Sequence, residues 1–123
     1  MRVLLATDSP DFGHDLSLFL GERSIQVLVV TADADHLLRR ADAGRPDAVL
    51  VDWRLGEALS ARIVGDLMTR DDPTPVIVLC TTRQREQVRD CGAAGCVTLG
   101  DHPDALVAVL DELGTGSRED VRG

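Results

Sequence analysis

Two aspartates and an arginine stand where this chain could do chemistry. Pro46-Asp47-Ala48-Val49-Leu50-Val51 is an apolar run too short for a globular helix; it ends in Asp52, with the loop Trp53-Arg54-Leu55 behind it. Val3-Leu4-Leu5-Ala6-Thr7 is a second such run, and it ends in Asp8. Open parallel sheets bind and react at the carboxyl ends of their strands, so acids in these places can hold a cation or receive a group. Each also has a plainer use. Aspartate ends strands because it makes turns and caps, and Asp8 competes with Ser9 to cap the helix that follows. Arg54 is either a solvated loop side chain or a fixed cation that reaches over and pairs with Asp52.

The remaining reactive residues form weaker patterns. Cys80 belongs to an apolar run, and Cys91 and Cys96 are separated by a Gly-Ala turn, so small buried hydrophobes are preferred to a zinc site with His102. His14 and His36 fall on helices beside acids and read as surface residues. Asp8 to Gly13 holds one glycine, which makes neither a phosphate loop nor a dinucleotide fingerprint. No base or nucleophile accompanies Asp52, so the chain is not expected to be an enzyme.

The elements that carry these residues alternate. After the first strand, Ser9 caps and Pro10 opens a helix with Phe12, Leu16, Phe19 and Leu20 on one face, stopped at Gly21. Ile25 to Val30 is the second strand; Leu37, Leu38 and Ala41 line the second helix, which Gly44 and Pro46 end. The third strand leads to a helix over Ala58 to Arg70 with Leu59, Ile63 and Leu67 spaced four apart. Pro75 to Cys80 is a β-branched run typical of a strand buried on both faces. Thr82 is expected to cap a poorly amphipathic helix over Arg83 to Cys91. Gly95 to Leu99 is the last strand, and Pro103 to Leu113 the last helix, with Leu106, Val109, Leu110 and Leu113 as its stripe. Residues 114–123 read as a polar tail or linker beyond a domain at 1–113.

Five strand–helix units in strict alternation predict an α/β fold, a doubly wound parallel sheet covered on both faces. In the flavodoxin-like order 2-1-3-4-5 the first and third strands are neighbours at the switch point, and Asp8 and Asp52 face one crevice.

Composition bounds the function. The chain has 123 residues and 44% hydrophobic content, enough for one domain with a real core, and 2% aromatics leave little for base stacking. A formal charge of −8, from 21 acids against 13 bases, repels phosphate backbones and argues against direct nucleic-acid binding. Three cysteines, no signal segment and no apolar run of membrane length give the expectation of a cytoplasmic, soluble protein with no membrane partner and reduced thiols.

Over residues 2–113 the chain resembles a response-regulator receiver domain of the CheY-like kind. The resemblance is carried by Val3-Leu4-Leu5-Ala6-Thr7-Asp8-Ser9-Pro10, Arg45-Pro46-Asp47-Ala48-Val49-Leu50-Val51-Asp52, Asp71-Asp72-Pro73-Thr74, Pro75-Val76-Ile77-Val78-Leu79-Cys80-Thr81, Gly92-Ala93-Ala94-Gly95 and Leu99-Gly100-Asp101-His102-Pro103-Asp104-Ala105-Leu106. It implies a five-stranded sheet with five helices, Asp52 as phosphoacceptor, and Mg²⁺ held by Asp8, Asp52 and the Arg54 carbonyl. A histidine kinase would be the phosphodonor.

Departures from the family pattern accompany the matches. Thr7 replaces the first acid of the acidic pair, Cys80 the Ser or Thr ending the fourth strand, and Leu99 the lysine ending the fifth. Gly100 stands for the cis-proline and Cys96 for the aromatic switch residue. An ammonium 4 Å from a carboxylate is worth roughly 4 kcal/mol at an effective dielectric of about 20, and Leu99 supplies none of it. Mg²⁺ binding should be weak and phosphorylation weak or absent.

The expected function is therefore an atypical receiver that signals through a protein partner or a homodimer. Its expected surface is Arg83, Arg85 and Arg89 opposite Asp104, Asp111 and Glu112. The alternatives are a conventional phosphorylated receiver and a small-molecule sensor using a pocket lined by Thr7, Cys80 and Leu99.

Overall fold

A computed structural model describes the backbone of residues 1–122 and side chains through Leu113. Strand β1 (Arg2–Ala6) leads to α1 (Pro10–Gly21), β2 (Gln26–Thr31) to α2 (Ala34–Gly44), and β3 (Ala48–Asp52) through a 3-10 turn at Trp53–Leu55 to α3 (Glu57–Met68). Strand β4 (Val76–Cys80) is followed by a 3-10 turn at Thr82–Gln84 and α4 (Arg85–Val88), and β5 (Gly95–Thr98) by α5 (Asp104–Arg122). The strands form one parallel sheet in the order β2-β1-β3-β4-β5. This is the expected flavodoxin-like order, and the switch point falls between β1 and β3.

The uninterrupted apolar runs explain the sheet's centre. β3 and β4 are buried along their whole length, and β1 from its second residue on, because helices cover both faces. Leu16 and Leu20 of α1 and Leu106 and Leu110 of α5 close one face over Leu5, Leu50, Ile77 and Leu79. Leu37, Leu38 and Ala41 of α2, Ile63, Val64 and Leu67 of α3, and Val88 close the other over Leu4, Val49, Val51 and Val78. Gly13 lets α1 approach the sheet: a Cβ there would lie 2.7 Å from Val30 Cγ1.

Local signals mostly act as expected. Ser9 Oγ accepts from Phe12 N–H, with Pro10 in the first turn, and Asp33 caps α2 by accepting from Asp35 and His36 N–H. Three details differ from the sequence expectation. The cap before α4 is Thr81, not Thr82, in a reciprocal box with Gln84, whose side chain accepts from Thr81 N–H. The helix expected over Arg83 to Cys91 is α-helical only over Arg85–Val88: Val88 is its one buried residue, and Asp90 sits unfavourably at its C-terminal end. Leu59 is 38% exposed, and Ser60 and Val64 occupy the buried stripe of α3 beside Ile63 and Leu67. That face is set by the entry of α3 at Gly56, whose φ of 118° is a glycine conformation.

Segment 114–123, expected as a polar tail, lies beyond the described side chains; the backbone of α5 runs to Arg122. Among the described residues no helix is long and apolar enough to cross a membrane.

Candidate functional site

Register places the reactive positions at one edge. Ala6 pairs with Val51, Asp52 with Leu79 and Cys80 with Thr98, so Thr7, Asp52, Cys80 and Leu99 follow one another across the carboxyl ends of β1, β3, β4 and β5. Asp52 is fully buried there and Asp8 is exposed at the rim.

The Asp52 carboxylate is filled. Its Oδ1 accepts from the Arg54 backbone N–H at 3.0 Å and from Arg54 Nε at 2.9 Å. Its Oδ2 accepts from the Thr7 hydroxyl at 2.8 Å and from Arg54 Nη2 at 2.9 Å. An ionised carboxylate has about four lone-pair sites, and these four donors occupy them. Asp52 thus serves both as the turn-former that ends β3 and as half of a bidentate ion pair with Arg54.

Arg54 is held from more than one side. The backbone bond to Asp52 fixes the 3-10 turn that aims the side chain back over its own strand end. The guanidinium carbon also lies 5.0 Å from the centroid of the Phe12 ring, a cation–π distance. Its pKa is raised above the arginine value first by the hydrogen bonds to Asp52, against the opposing effect of desolvation, and then by the charges of Asp52 and Asp8. It is a cation at every pH at which the protein folds.

The other positions take apolar or neutral roles. Thr7 is buried; its hydroxyl donates to Asp52 and accepts from Ser9 N–H at 3.2 Å, so it ties β1, β3 and the cap of α1 together. Leu99 is half-buried and lines a recess of about 50 Å³ with Phe12, Leu16, Leu79 and Leu106. Thr7 and Cys80 do not line it, so the sensor pocket imagined from Thr7, Cys80 and Leu99 is not one space. Cys80 is fully buried with its sulfur 3.0 Å from that of Cys96, and Gly100 is exposed in the turn after β5. Burial, then the contact with Cys96, pushes the Cys80 thiol up to about 12.

Receiver domains hold Mg²⁺ at their acidic pocket, and the residues present here fit such an ion poorly. Asp52 has no free lone pair, Thr7 brings no charge, and the third ligand the resemblance implies, the Arg54 carbonyl, belongs to the residue whose guanidinium covers Asp52. A cation already sits on Asp52, and it is the protein's own.

Of the expected surface residues, Arg83, Arg85, Arg89, Asp104, Asp111 and Glu112 are all exposed. Two of them have partners within the chain: Arg85 Nη1 donates to Thr98 Oγ1 at 2.6 Å, and Asp104 lies 3.5 Å from Arg23. Phe12 and the Cys80–Cys96 contact are the participants the sequence reading missed. Spacing alone puts Phe12 in a core stripe, while the cysteine contact needs the β4–β5 register, which no spacing reveals.

Residues 3–111 match the family described as the response regulator receiver domain. The chain is 30% identical over 123 residues to protein-glutamate methylesterase/protein-glutamine glutaminase 2 of Anaeromyxobacter dehalogenans (strain 2CP-C), covering 99% of this chain and 36% of that protein. It thus spans about a third of the length of that relative, whose activity is named for a much longer chain. The signal receiver domain of a signal transduction histidine kinase from Syntrophus aciditrophicus superposes with a TM-score of 0.81 at 24% identity, over 94% of this chain and 90% of that one. A protein from a family of streptococcal redox sensors evolved from two-component response regulators superposes at 0.83 with 18% identity, over 98% and 54%. At these identities the two structures speak for the fold alone. The sheet order, the acid ending β3 and the match over nearly the whole chain place this protein in the response regulator receiver domain family of two-component signal transduction.

Proposed function

We propose that this receiver signals through protein–protein contact with Asp52 held in a permanent ion pair, rather than through a phosphoryl group carried on Asp52. The observation that carries the reading is the filled carboxylate. For Asp52 to attack phosphorus, a lone pair must be freed, which means withdrawing Arg54 or the Thr7 hydroxyl from a buried charge. Charge-assisted hydrogen bonds contribute roughly 1.5–3 kcal/mol each, so the nucleophile starts from a stabilised ground state. A transferred phosphoryl group would then meet Leu99 where the family offers an ammonium, and a thiol where it offers a hydroxyl.

In this reading Arg54 replaces Mg²⁺ and the missing lysine together, and the domain rests in one conformation that a partner recognises. The exposed charges on α4 and α5, Arg83, Arg85 and Arg89 against Asp104, Asp111 and Glu112, suit either a partner protein or a second copy of the chain. A histidine kinase would be a binding partner rather than a phosphodonor. The recess beside Leu99, about 50 Å³, is far below the roughly 300 Å³ at which small-molecule sites begin, so Leu99 lines no ligand pocket of that size.

The test is label transfer from radioactive acetyl phosphate in millimolar Mg²⁺. No acid-stable, base-labile label should appear on the wild-type chain. Label that is lost in Asp52→Asn would restore the conventional phosphorylated receiver.

A further inference from the structure

We infer that Cys80 and Cys96 form a reversible dithiol–disulfide site bridging β4 and β5, taking hydrogen peroxide as oxidant and a cellular thiol as reductant. Two free thiols whose sulfurs lie 3.0 Å apart need only a short approach to reach the bond length of about 2.05 Å. The register puts both side chains on one face of the sheet: Cys80 pairs with Thr98 and Cys96 with Val78, which makes the cysteines diagonal neighbours. Diagonal neighbours are farther apart than directly opposed ones, so the bridge draws the end of β4 toward β5, and a bridge closed against such a pull is readily reduced again.

Access assigns the order of events. Cys96 is half-buried and Cys80 fully buried. The Cys96 sulfur attacks hydrogen peroxide; the O–O bond breaks, the distal oxygen leaves as water with the thiol's proton, and Cys96 becomes a sulfenic acid. The Cys80 sulfur then attacks that sulfur, the S–O bond breaks, and the second oxygen leaves as water carrying the Cys80 proton. Two thiols are oxidised by two electrons and one peroxide is reduced to two waters. Burial holds Cys80 protonated, with a pKa of about 12, so proximity rather than thiolate population drives the second step. Cys91, half-buried after α4, is the spectator.

The site is placed to act on the outer face. Thr98, two residues beyond Cys96 on β5, accepts the Arg85 hydrogen bond at 2.6 Å and anchors α4. A bridge that pulls β5 therefore moves the anchor of an exposed arginine among the charges proposed to face a partner.

Peroxide treatment of the reduced protein, followed by alkylation and peptide mass mapping, tests the site. The expected product is a monomer that has lost two hydrogens, keeps one alkylatable thiol at Cys91, and yields a Cys80–Cys96 linked peptide that glutathione removes. Cys96→Ser and Cys80→Ser should each abolish the loss, and Cys80→Ser should leave a sulfenic acid on Cys96 that dimedone traps. Because Cys80→Ser sits in the core, circular dichroism accompanies it, and Cys96→Ser alone suffices if it misfolds. Three alkylatable thiols after peroxide, a bridge that includes Cys91, or covalent dimers in place of the internal bridge would overturn the inference.

Discussion

At Asp52 two changes that act in the same direction have come together. Replacing the first acid of the pair by Thr7 removes a like charge, and turning the Arg54 side chain inward adds an opposite one, so a carboxylate built to be reactive becomes a stabilising contact. The sequence alone allows the reading that Asp8 and Asp52 repel each other with little compensation, which makes Asp52→Asn neutral or stabilising. The observed pairing reverses the sign. Asp52→Asn should lower stability by about 1–3 kcal/mol in urea denaturation, because an amide accepts at one atom only and leaves guanidinium donors unmatched. Arg54→Ala should cost less than a fully buried pair, since the guanidinium is partly exposed. The double variant should be less destabilised than the sum of the two. Additive losses would mean the pair does not form in solution. Cys80 supplies a second residue-scale expectation. Its thiol stays protonated to about 12 when folded, whereas an unfolded thiol ionises from about pH 8.5. Folding therefore retains a proton in that window, and the stability is present below it and lost as pH rises through it. Wild type should lose stability more steeply than Cys80→Ala as pH rises above about 8.5; parallel pH profiles would show that Cys80 is not so protected.

At the scale of elements, the sequence was legible wherever apolar spacing and a capping residue agreed. Ser9 and Pro10 start α1 where expected, β1 and β4 fall within a residue of their apolar runs, and β3 within two. The segment after β4 is where these signals disagree, and the helix expected there shrank. Val88 alone buries, so the turn depends on its cap, and both Thr81 and Thr82 look equally able to provide it in sequence; the Gln84 side chain, reaching back to Thr81 N–H, decides between them. Thr81→Ala should cost about 1 kcal/mol and raise amide exchange from Arg85 to Asp90, whereas Thr82→Ala should do neither; equal effects would move the cap. The same stretch carries the charges proposed to face a partner. Replacing Arg85 and Arg89 with Glu should change oligomer mass or partner capture, and the Arg85→Glu part should also loosen α4 through loss of the Thr98 bond. Light scattering and exchange measured together separate the two effects, and no change in mass or capture would place the functional surface elsewhere.

For the whole molecule, the parallel sheet still delivers its reactive residues to one edge, but the edge is wired shut. Strand order follows from the alternation of strands and helices, and it was readable, as were the substitutions at Thr7, Cys80 and Leu99; the register was not, because no spacing in the sequence carries it. Also unreadable was the direction of the Arg54 side chain, which depends on the 3-10 turn and on Phe12 arriving from α1. That direction decides the central claim, and Trp53 reports on it. It is buried beside Asp52, with its indole N–H unpartnered among the described residues, so any rearrangement of the strand end changes its surroundings. The direct measurement is Trp53 fluorescence during titration with beryllofluoride and Mg²⁺. The wild-type chain should show no saturable change. Arg54→Ala combined with Thr7→Asp and Leu99→Lys, which frees the carboxylate and restores the metal charge and the ammonium, should show one. A saturable response of the unmodified protein at submillimolar Mg²⁺ would contradict the account, because it would mean Arg54 leaves Asp52 readily enough for the family's chemistry to proceed.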